Sequence, residues 1–260
     1  MAVFTLTTDW GLKDHYAGAV RGKLLSLMPD AVIVDITHNV PPFDVQQAAF
    51  ILKNVIPSFS SGTIHLIGVN TDASIETPHI LARYHGQYFI GADNGVFALM
   101  FEEKPDLIIE LDIVQDSDFF TFSTRDVFVK AAVHLAEGRE PEKLGNPRSA
   151  LNEKISFMPV VEGEVIRAKV IYIDAYENVF VNITQDFFRR VVGKRGFRIE
   201  FRNARYSIHT ISHSYSDVSE GEMLALFSSS GYLEIAMNRG KASSLLGLHQ
   251  DDPVRITITG

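Results

Sequence analysis

Apolar runs of about five residues alternate with helix-like stretches over the first half of the chain. We predict strands at residues 3–6, 31–36, 63–69, 80–84, 88–92 and 107–111. Helices are predicted at 15–28, 44–55, 95–101 and 125–137, the last closed by Gly138. This alternation is typical of a layered α/β domain with a largely parallel sheet.

Residues 139–159 interrupt this alternation. Pro141, Gly145, Pro147 and Pro159 punctuate a polar stretch without clear periodicity, which is typical of a linker. Short alternating strands follow, predicted at 163–173, 179–183, 197–201, 206–211, 223–227, 233–236 and 254–258. We therefore predict two domains, an α/β domain at 1–158 and a smaller all-β, barrel-like domain at 159–260.

Composition limits the classes of function. The chain has 46% hydrophobic and 22% charged residues, which is ordinary for a globular protein. Its formal charge of −8 disfavours nucleic acid as a partner. The absence of cysteine excludes disulfides, thiolate nucleophiles and cysteine-bound metal clusters. No apolar run approaches the roughly 18 residues that span a bilayer, and strand-like sequence begins at Val3, so we expect a cytoplasmic protein without leader or membrane anchor.

Short polar side chains stand at the ends of several predicted strands: Asp9, Asp35, Asn70, Asp93, Asn94, Asp174 and Asn178. Ligands of open α/β sheets bind outside the carboxyl ends of the strands, so these residues are candidates for one site. Asp14 follows Asp9 by five residues. An aspartate after a first strand is also a common turn or N-cap residue, and that alternative stays open.

Two further segments have both chemical and structural interpretations. Asp35 and His38 are close enough in sequence to share a metal, but no second ligand stands at convincing spacing. We therefore favour a hydrogen-bonding role for His38 and expect no metal. The segment 121–126 is rich in hydroxyls and opens a helix, which suits a polarised oxygen or simple capping beside an Arg125–Asp126 ion pair.

In order and spacing, these segments resemble the S-adenosyl-L-methionine (SAM) hydroxide adenosyltransferases, or SAM hydrolases, which are related to SAM-dependent fluorinases and chlorinases. The matching motifs are Thr8-Asp9-Trp10-Gly11, Asp35-Ile36-Thr37-His38, Pro42-Phe43-Asp44, Asp93-Asn94-Gly95, Thr121-Phe122, Arg125-Asp126-Val127-Phe128, Asp174-Ala175-Tyr176-Glu177-Asn178, Tyr215-Ser216-Asp217 and Ser229-Ser230-Gly231-Tyr232-Leu233. The resemblance runs from residue 3 to about 258.

The resemblance implies an N-terminal α/β domain, a C-terminal β-barrel-like domain, and a homotrimer with each site between neighbouring subunits. SAM would be the substrate, and no cofactor is implied. Asp9 would bind the ribose diol and Phe43 would cover the ribose. Asp14 and Asp174 would face the methionine amino group, helped by Ser229. Asn178 would hydrogen-bond to the edge of the adenine, and Tyr215 would stack on the adenine ring. Asp93 and Asn94 are further substrate-binding candidates.

The chain departs from the family at the water-activating positions. An aspartate, an arginine and a histidine are replaced by Asn70, Thr77 and Ser123. Asn70 cannot take a proton near neutral pH. Three nearby side chains are candidate substitute bases, namely Asp72, Glu76 and His79, of which His79 is the most attractive because it titrates near pH 7.

Three functions follow from this pattern. The first is a SAM hydrolase that releases adenosine and L-methionine by attack of water on the ribose 5′ carbon. The second is a halogenase, in which Ala73, Ser123 and Thr124 supply a halide pocket. The third is a protein that binds SAM or adenosine without turnover.

Overall fold

A computed structural model describes residues 2–115, 118–154, 158–201 and 205–260. The chain divides into two compact units, Met1–Ile155 and Ser156–Gly260. Each unit has its own buried apolar core and is described by itself. Residues 155–157, within the predicted linker, lie outside the described residues.

The first unit contains a seven-stranded sheet with helices. Its strands are β1 (Val3–Thr8), β2 (Val32–Thr37), β3 (Ile64–Gly68), β4 (His79–Tyr84), β5 (Gln87–Ala92), β6 (Leu107–Leu111) and β7 (Gly145–Pro147). Its helices are α1 (Tyr16–Leu27), α2 (Val45–Val55), α3 (Val96–Met100) and α4 (Val129–Ala136). The predicted strands and helices of this half are confirmed to within a few residues.

The prediction of a largely parallel sheet is only partly right, because the sheet is mixed. The strand order is β2-β1-β3-β5-β4-β6-β7. The four strands from β2 to β5 pair in parallel, whereas β5-β4, β4-β6 and β6-β7 pair antiparallel. The reversal begins at a two-residue hairpin turn, where His85 and Gly86 both have positive φ (49° and 73°), as such turns require.

Two segments of the first unit differ from expectation. A one-turn π-helix, Thr124–Phe128, precedes α4 where a single α-helix is predicted. The stretch expected to be a linker contributes a 3₁₀ turn at Pro141–Leu144 and the edge strand β7. Three residues of proline-containing sequence suit an edge strand, because an edge needs fewer backbone donors.

The second unit contains a nine-stranded sheet that curls into a half-barrel. Its strands are β8 (Val160–Glu162), β9 (Val165–Ile173), β10 (Val179–Thr184), β11 (Gly196–Glu200), β12 (Ser207–Ile208), β13 (Ile211–Ser212), β14 (Met223–Phe227), β15 (Tyr232–Met237) and β16 (Pro253–Thr259). The order β12-β11-β16-β9-β10-β15-β14-β13 confirms the predicted β character, and the barrel-like prediction is confirmed in part, as an open half-barrel.

Two short helices of this unit were not predicted, α5 (Gln185–Val191) and α6 (Ala242–Leu246). Thr184 caps α5 by accepting a hydrogen bond from the Phe187 N–H at 3.2 Å. Phe188 on α5 and Leu246 on α6 are buried in the core of the unit. Across the described ranges of both units, no helix has the length and apolar character needed to cross a membrane.

Candidate active site

Asp9 lies where three parallel strands end. It follows β1 directly, and the residues after β2 and β3 reach its carboxylate. The Asp9 Oδ2 atom accepts hydrogen bonds from the backbone N–H of Phe43 at 2.9 Å and of Asn70 at 3.4 Å. The carboxylate is thereby oriented by two loops, which makes it a pre-positioned acceptor for hydroxyl groups.

Both loops that hold Asp9 have unusual backbone geometry. Phe43 and Asn70 have φ values of 67° and 47°, in a region that residues other than glycine rarely adopt. Phe43 is also 70% exposed although it is a large apolar side chain. Strain and exposure of this kind are concentrated at ligand-binding positions.

A cavity of about 320 Å³ opens beside Asp9. Its lining residues are Asp9, Trp10, Tyr16, Pro42, Phe43, Asn70, Thr71, Asp72, Thr121 and Phe122. Trp10, Tyr16 and Phe122 form an aromatic cluster with ring centroids 5.3 to 6.0 Å apart. A Cβ atom on Gly68 would lie 2.7 Å from Trp10 Cζ2, so the glycine is needed for the indole to pack here. The cavity combines apolar walls with carboxylate and amide groups, which suits a nucleoside or amino-acid ligand.

The structure brings only some of the predicted residues to this cavity. Asp9, Phe43 and Asn70 line it, whereas Asp14 is exposed and outside its lining. Asn94 stabilises the loop that carries Asn70, because its side-chain amide nitrogen donates hydrogen bonds to the carbonyls of Val69 (3.0 Å) and Asn70 (2.8 Å).

Asp93 is fully buried and also outside the lining. Its Oδ2 accepts the Asn152 N–H at 2.9 Å and lies 3.8 Å from Arg148 Nη1, while its Oδ1 has no hydrogen-bond partner among the described residues. Burial raises the pKa of the Asp93 carboxyl, although the Asn152 and Arg148 interactions oppose that shift. These contacts indicate that Asp93 organises the 148–152 segment.

The residues at the water-activating positions are mostly engaged in local contacts. The Thr77 hydroxyl lies 2.9 Å from that of Ser74 and 3.4 Å from the Asp72 carbonyl, which closes the 72–77 loop on itself. Ser123 and Thr124 are buried at the start of the π-helix, and Thr124 Oγ1 has no hydrogen-bond partner in the part of the chain that the structure describes. Neither Thr77 nor these two hydroxyl residues line the cavity.

Of the three substitute bases considered, only Asp72 lines the cavity. His79 Nε2 lies 2.8 Å from the Thr71 carbonyl, and the His79 ring packs edge-on against Phe128 at 4.9 Å. Burial lowers the pKa of His79, although Thr71 and the charge of Asp72 oppose that shift. The imidazole is therefore neutral near pH 7 and donates to a carbonyl, so Asp72 is better placed than His79 to act on a ligand.

The hydrogen-bonding role that the sequence favours for His38 is confirmed. His38 is buried, with Nδ1 at 2.7 Å from the Thr8 hydroxyl and Nε2 at 3.0 Å from Asp35 Oδ1. The Arg125–Asp126 ion pair is also present, with Nε 2.6 Å from Oδ1. Within the described residues, no cluster of three or more histidine, aspartate or glutamate side chains is arranged to hold a metal ion.

The second unit has a cavity of its own, of about 670 Å³. It is lined by Asp174, Ala175, Tyr176, Asn178, Tyr215, Met237, Asn238, Arg239, Gly240 and Lys241. Asp174, Asn178 and Tyr215 are thus brought together as predicted, while Ser229 is exposed and outside the lining.

Asp174 organises the turn between β9 and β10. Its Oδ1 accepts the backbone N–H of Tyr176 and of Asn178, both at 2.9 Å, and its Oδ2 accepts the Asn178 side-chain amide at 3.1 Å. The turn leaves Tyr176 78% exposed beside the cavity. The arrangement presents a carboxylate, an amide and two aromatic rings on one concave surface, which suits a purine with a polar or cationic substituent.

Two residues that sequence reasoning did not assign to the site shape this cavity. Glu177, at φ 63°, accepts from Lys241 Nζ at 2.7 Å and from the Ser244 N–H and hydroxyl, which ties the two lining loops together. Glu234 is 1% exposed and accepts the Tyr215 hydroxyl at 2.6 Å. A glutamate inside the apolar run Leu233–Ala236 is the sequence signal that would have revealed Glu234.

The first unit is thus a mixed α/β domain with a carboxylate at its strand ends, and the second is a β domain whose cavity presents a carboxylate, an amide and aromatic rings. The chain belongs to the SAM hydroxide adenosyltransferase family: the model of its N-terminal domain matches residues 4–145 and that of its C-terminal domain matches residues 168–255.

Relatives along nearly the whole chain agree with this membership. A protein named (R)-S-adenosyl-L-methionine hydrolase from Thermus thermophilus is 31% identical, over 96% of this chain and 97% of the relative. A protein of the same name from Methanocaldococcus jannaschii is 28% identical, over 98% and 95%. A fluorinase from Nocardia brasiliensis is more distant, at 24% identity over 91% and 90%. An uncharacterised conserved protein of known structure from Thermotoga maritima matches 99% of this chain and all of its own, with a TM-score of 0.88 and 31% identity.

Proposed function

We propose that this chain hydrolyses S-adenosyl-L-methionine to adenosine and L-methionine. The observation that carries the proposal is the Asp9 carboxylate, which two backbone N–H groups hold at the ends of parallel strands, beside a cavity with aromatic walls. Family membership and hydrolase relatives at 28–31% identity support the same reaction. The names of these relatives specify the (R) epimer at sulfur, so we include that epimer as the preferred substrate.

In the proposed reaction the oxygen of a water molecule forms a bond to the ribose 5′ carbon. The bond from that carbon to sulfur breaks, and methionine leaves with the electron pair as a neutral thioether. One proton of the water passes to a base. The sulfonium charge already activates the leaving group, so the protein's contribution is to hold substrate and water in line and to exclude other water.

The substrate would be shared between the two kinds of cavity. Asp9 would bind the ribose diol under Phe43, while Asn178 and Tyr215 would hold the adenine. Asp174 would face the methionine amino group, with Asp14 and Ser229 as additional contacts at its edge. Because each unit carries only part of this set, we propose a homotrimer in which the first unit of one subunit completes the site with the second unit of its neighbour.

We assign the proton-accepting role to Asp72 in preference to His79. Among the described residues that line the first cavity, Asp72 is the only carboxylate besides Asp9. A carboxylate is a weak base, but a reaction with an activated leaving group needs little base strength. Asn70 and Ser123 would then serve as hydrogen-bonding residues rather than proton acceptors.

One observation favours a halogenase as the second candidate. Thr124 is fully buried and its hydroxyl has no hydrogen-bond partner among the described residues. An unpaired buried donor beside Ser123 would suit a dehydrated halide, and fluorinases are among the relatives. In that reaction the halide replaces water as the nucleophile and no base is needed.

Product analysis separates these functions. The purified protein is incubated with a mixture of the two sulfur epimers of SAM, in halide-free buffer and with added chloride or fluoride, and the nucleosides are separated by liquid chromatography. Adenosine in halide-free buffer, with faster loss of the (R) epimer, is expected. A 5′-halogenated nucleoside would identify a halogenase, and tight binding of SAM that is recovered intact after long incubation would identify a binding protein. We propose the cytoplasm as the location, which agrees with a chain that has no cysteine for disulfides.

A further inference from the structure

Glu234 is a buried carboxylate in the sheet of the second unit. It lies on β15, opposite Phe180 on β10 and Leu226 on β14, and only 1% of its surface is exposed. Its neighbours in sequence, Leu233 and Ile235, point into the main core, so Glu234 faces the other side of the sheet. A carboxylate in such surroundings costs stability unless it has strong partners.

The partner of Glu234 is Tyr215. The Tyr215 hydroxyl donates to Glu234 Oε1 at 2.6 Å, which is a short, charge-assisted hydrogen bond. At its backbone end Tyr215 begins a 3₁₀ turn that is closed by a reciprocal capping box between Ser214 and Asp217. The ring is therefore fixed at both ends, yet it is 45% exposed and lines the second cavity.

The Glu234–Tyr215 pair lies beside a second carboxylate, Asp174. Among the described residues, no lysine or arginine forms an ion pair with Glu234 or Asp174, while the two basic residues that line the cavity are paired elsewhere, Arg239 with Glu220 and Lys241 with Glu177. Burial raises the pKa of Glu234, the nearby charge of Asp174 adds to that shift, and the Tyr215 hydrogen bond opposes it. A buried carboxylate without a cationic partner contributes little to the stability of the fold. Its presence here therefore points to a role in binding.

We propose that Glu234 is a positioning residue that holds the Tyr215 ring as a pre-organised wall of the nucleoside pocket. The proposal rests on the function proposed above, because it assumes that the pocket takes the adenosyl group. Pre-organisation reduces the entropy that is lost when a ligand binds a flat ring. Glu234 touches no ligand itself in this scheme and acts through Tyr215.

The first test uses steady-state kinetics on the full-length protein. Glu234→Met removes the acceptor and keeps the volume, and we expect it to raise KM for SAM about tenfold while kcat stays within twofold, the pattern of lost uniform binding. Glu234→Gln keeps an acceptor and should restore KM to within about threefold. In a Tyr215→Phe background, Glu234→Met should cause no further change, because the hydrogen bond is already absent.

Stability measurements separate positioning from a merely structural role. The thermal midpoint of Glu234→Met should be no lower than that of the wild type, since the variant removes a buried charge. Leu226→Val is the matched control: it loosens packing at the opposite register position and should lower the midpoint without changing KM. An unchanged KM in Glu234→Met, or an equal KM increase in the Tyr215→Phe background, would overturn the proposal.

A ligand-free measurement keeps the two proposals distinguishable. In NMR spectra with ¹³C-labelled tyrosine rings, the Tyr215 signals are identified by their absence in Tyr215→Phe. We expect Glu234→Met to shift them and Glu234→Gln to shift them less. If the wild type neither binds nor converts SAM, the proposed function fails and with it the binding role of Glu234, while the NMR shift still decides whether Glu234 holds the ring. If the wild type converts SAM but the shift is absent, only the positioning proposal fails.

Discussion

Replacement of Asp9 by asparagine is the most informative perturbation of the first cavity. The asparagine oxygen can accept the same two backbone N–H groups, from Phe43 and Asn70, that Asp9 Oδ2 accepts at 2.9 and 3.4 Å. The local fold should therefore survive, with a change in unfolding free energy below about 1 kcal/mol. What the variant loses is the negative charge that binds the ribose hydroxyls in the proposed function.

The size of the effect follows from the number of bonds affected. A hydrogen bond to a charged group contributes about 1.5–3 kcal/mol and a neutral one about 0.5–1.5 kcal/mol, so each ribose hydroxyl loses about 1–1.5 kcal/mol. Two hydroxyls give about 2–3 kcal/mol, which corresponds to a decrease of roughly 30- to 150-fold in kcat/KM.

The assay is the initial rate of adenosine formation, with thermal unfolding measured on the same samples. Asp44→Asn is the matched control, because Asp44 caps α2 through Gln46 N and Gln47 N and asparagine is an equally good N-cap. It removes the same charge outside the cavity and should leave kcat/KM unchanged. With a 2′-deoxyribose substrate, the loss caused by Asp9→Asn should fall by about half on a free-energy scale. A kcat/KM for Asp9→Asn within threefold of the wild type would refute the role of Asp9 in diol binding.

Three further predictions use other parts of the first unit. Asp72→Asn should reduce kcat for adenosine formation at least tenfold with little change in KM. A larger decrease in kcat for His79→Asn than for Asp72→Asn, measured in the same assay, would assign the proton-accepting role to His79. Gly68→Ala should displace Trp10, the only tryptophan of the chain, and lower the free energy of unfolding by about 1–3 kcal/mol. A change in tryptophan emission would report the displacement, and unchanged emission would contradict the prediction. His65 is fully buried between Thr5 and Gln87, and burial lowers its pKa to about 4. The unfolded chain therefore binds a proton at higher pH than the folded chain, and stability should fall as the pH drops from 6.5 towards 4, by about 2 kcal/mol between pH 7 and pH 5. Urea unfolding at the two pH values checks this, and an equal decrease in His65→Gln would show that other groups cause it.

The strand ends were the part of the site that sequence reasoning located best. Asp9 and Asn70 follow apolar runs, and parallel strands bring their carboxyl ends to one edge, so the meeting of these residues follows from topology. Strand direction is harder to infer, because an apolar run in the sequence does not indicate whether the adjacent strand in the sheet is parallel or antiparallel. The pair His85-Gly86 between two strands was the available hairpin signal, and it accounts for the antiparallel pairing of β4 with β5.

Side-chain partners in the second unit depended on tertiary contacts. Nothing near Tyr215 in sequence indicates Glu234, which meets it only because β15 and the 3₁₀ turn after β13 come together in the fold. The substitution of the water-activating residues shows a similar limit. The ordinary titration range of histidine, near pH 7, favoured His79 as a substitute base. In the structure, its ring is hydrogen-bonded to Thr71, packs on Phe128 and lies outside the cavity lining.

The central claim is that water attacks the ribose 5′ carbon of SAM in this protein. The direct measurement is turnover in ¹⁸O-labelled water followed by mass spectrometry of the products. We expect adenosine that carries one ¹⁸O atom, together with unlabelled methionine, at a rate that exceeds the protein-free control. SAM recovered intact, or adenosine without the label, would contradict the claim.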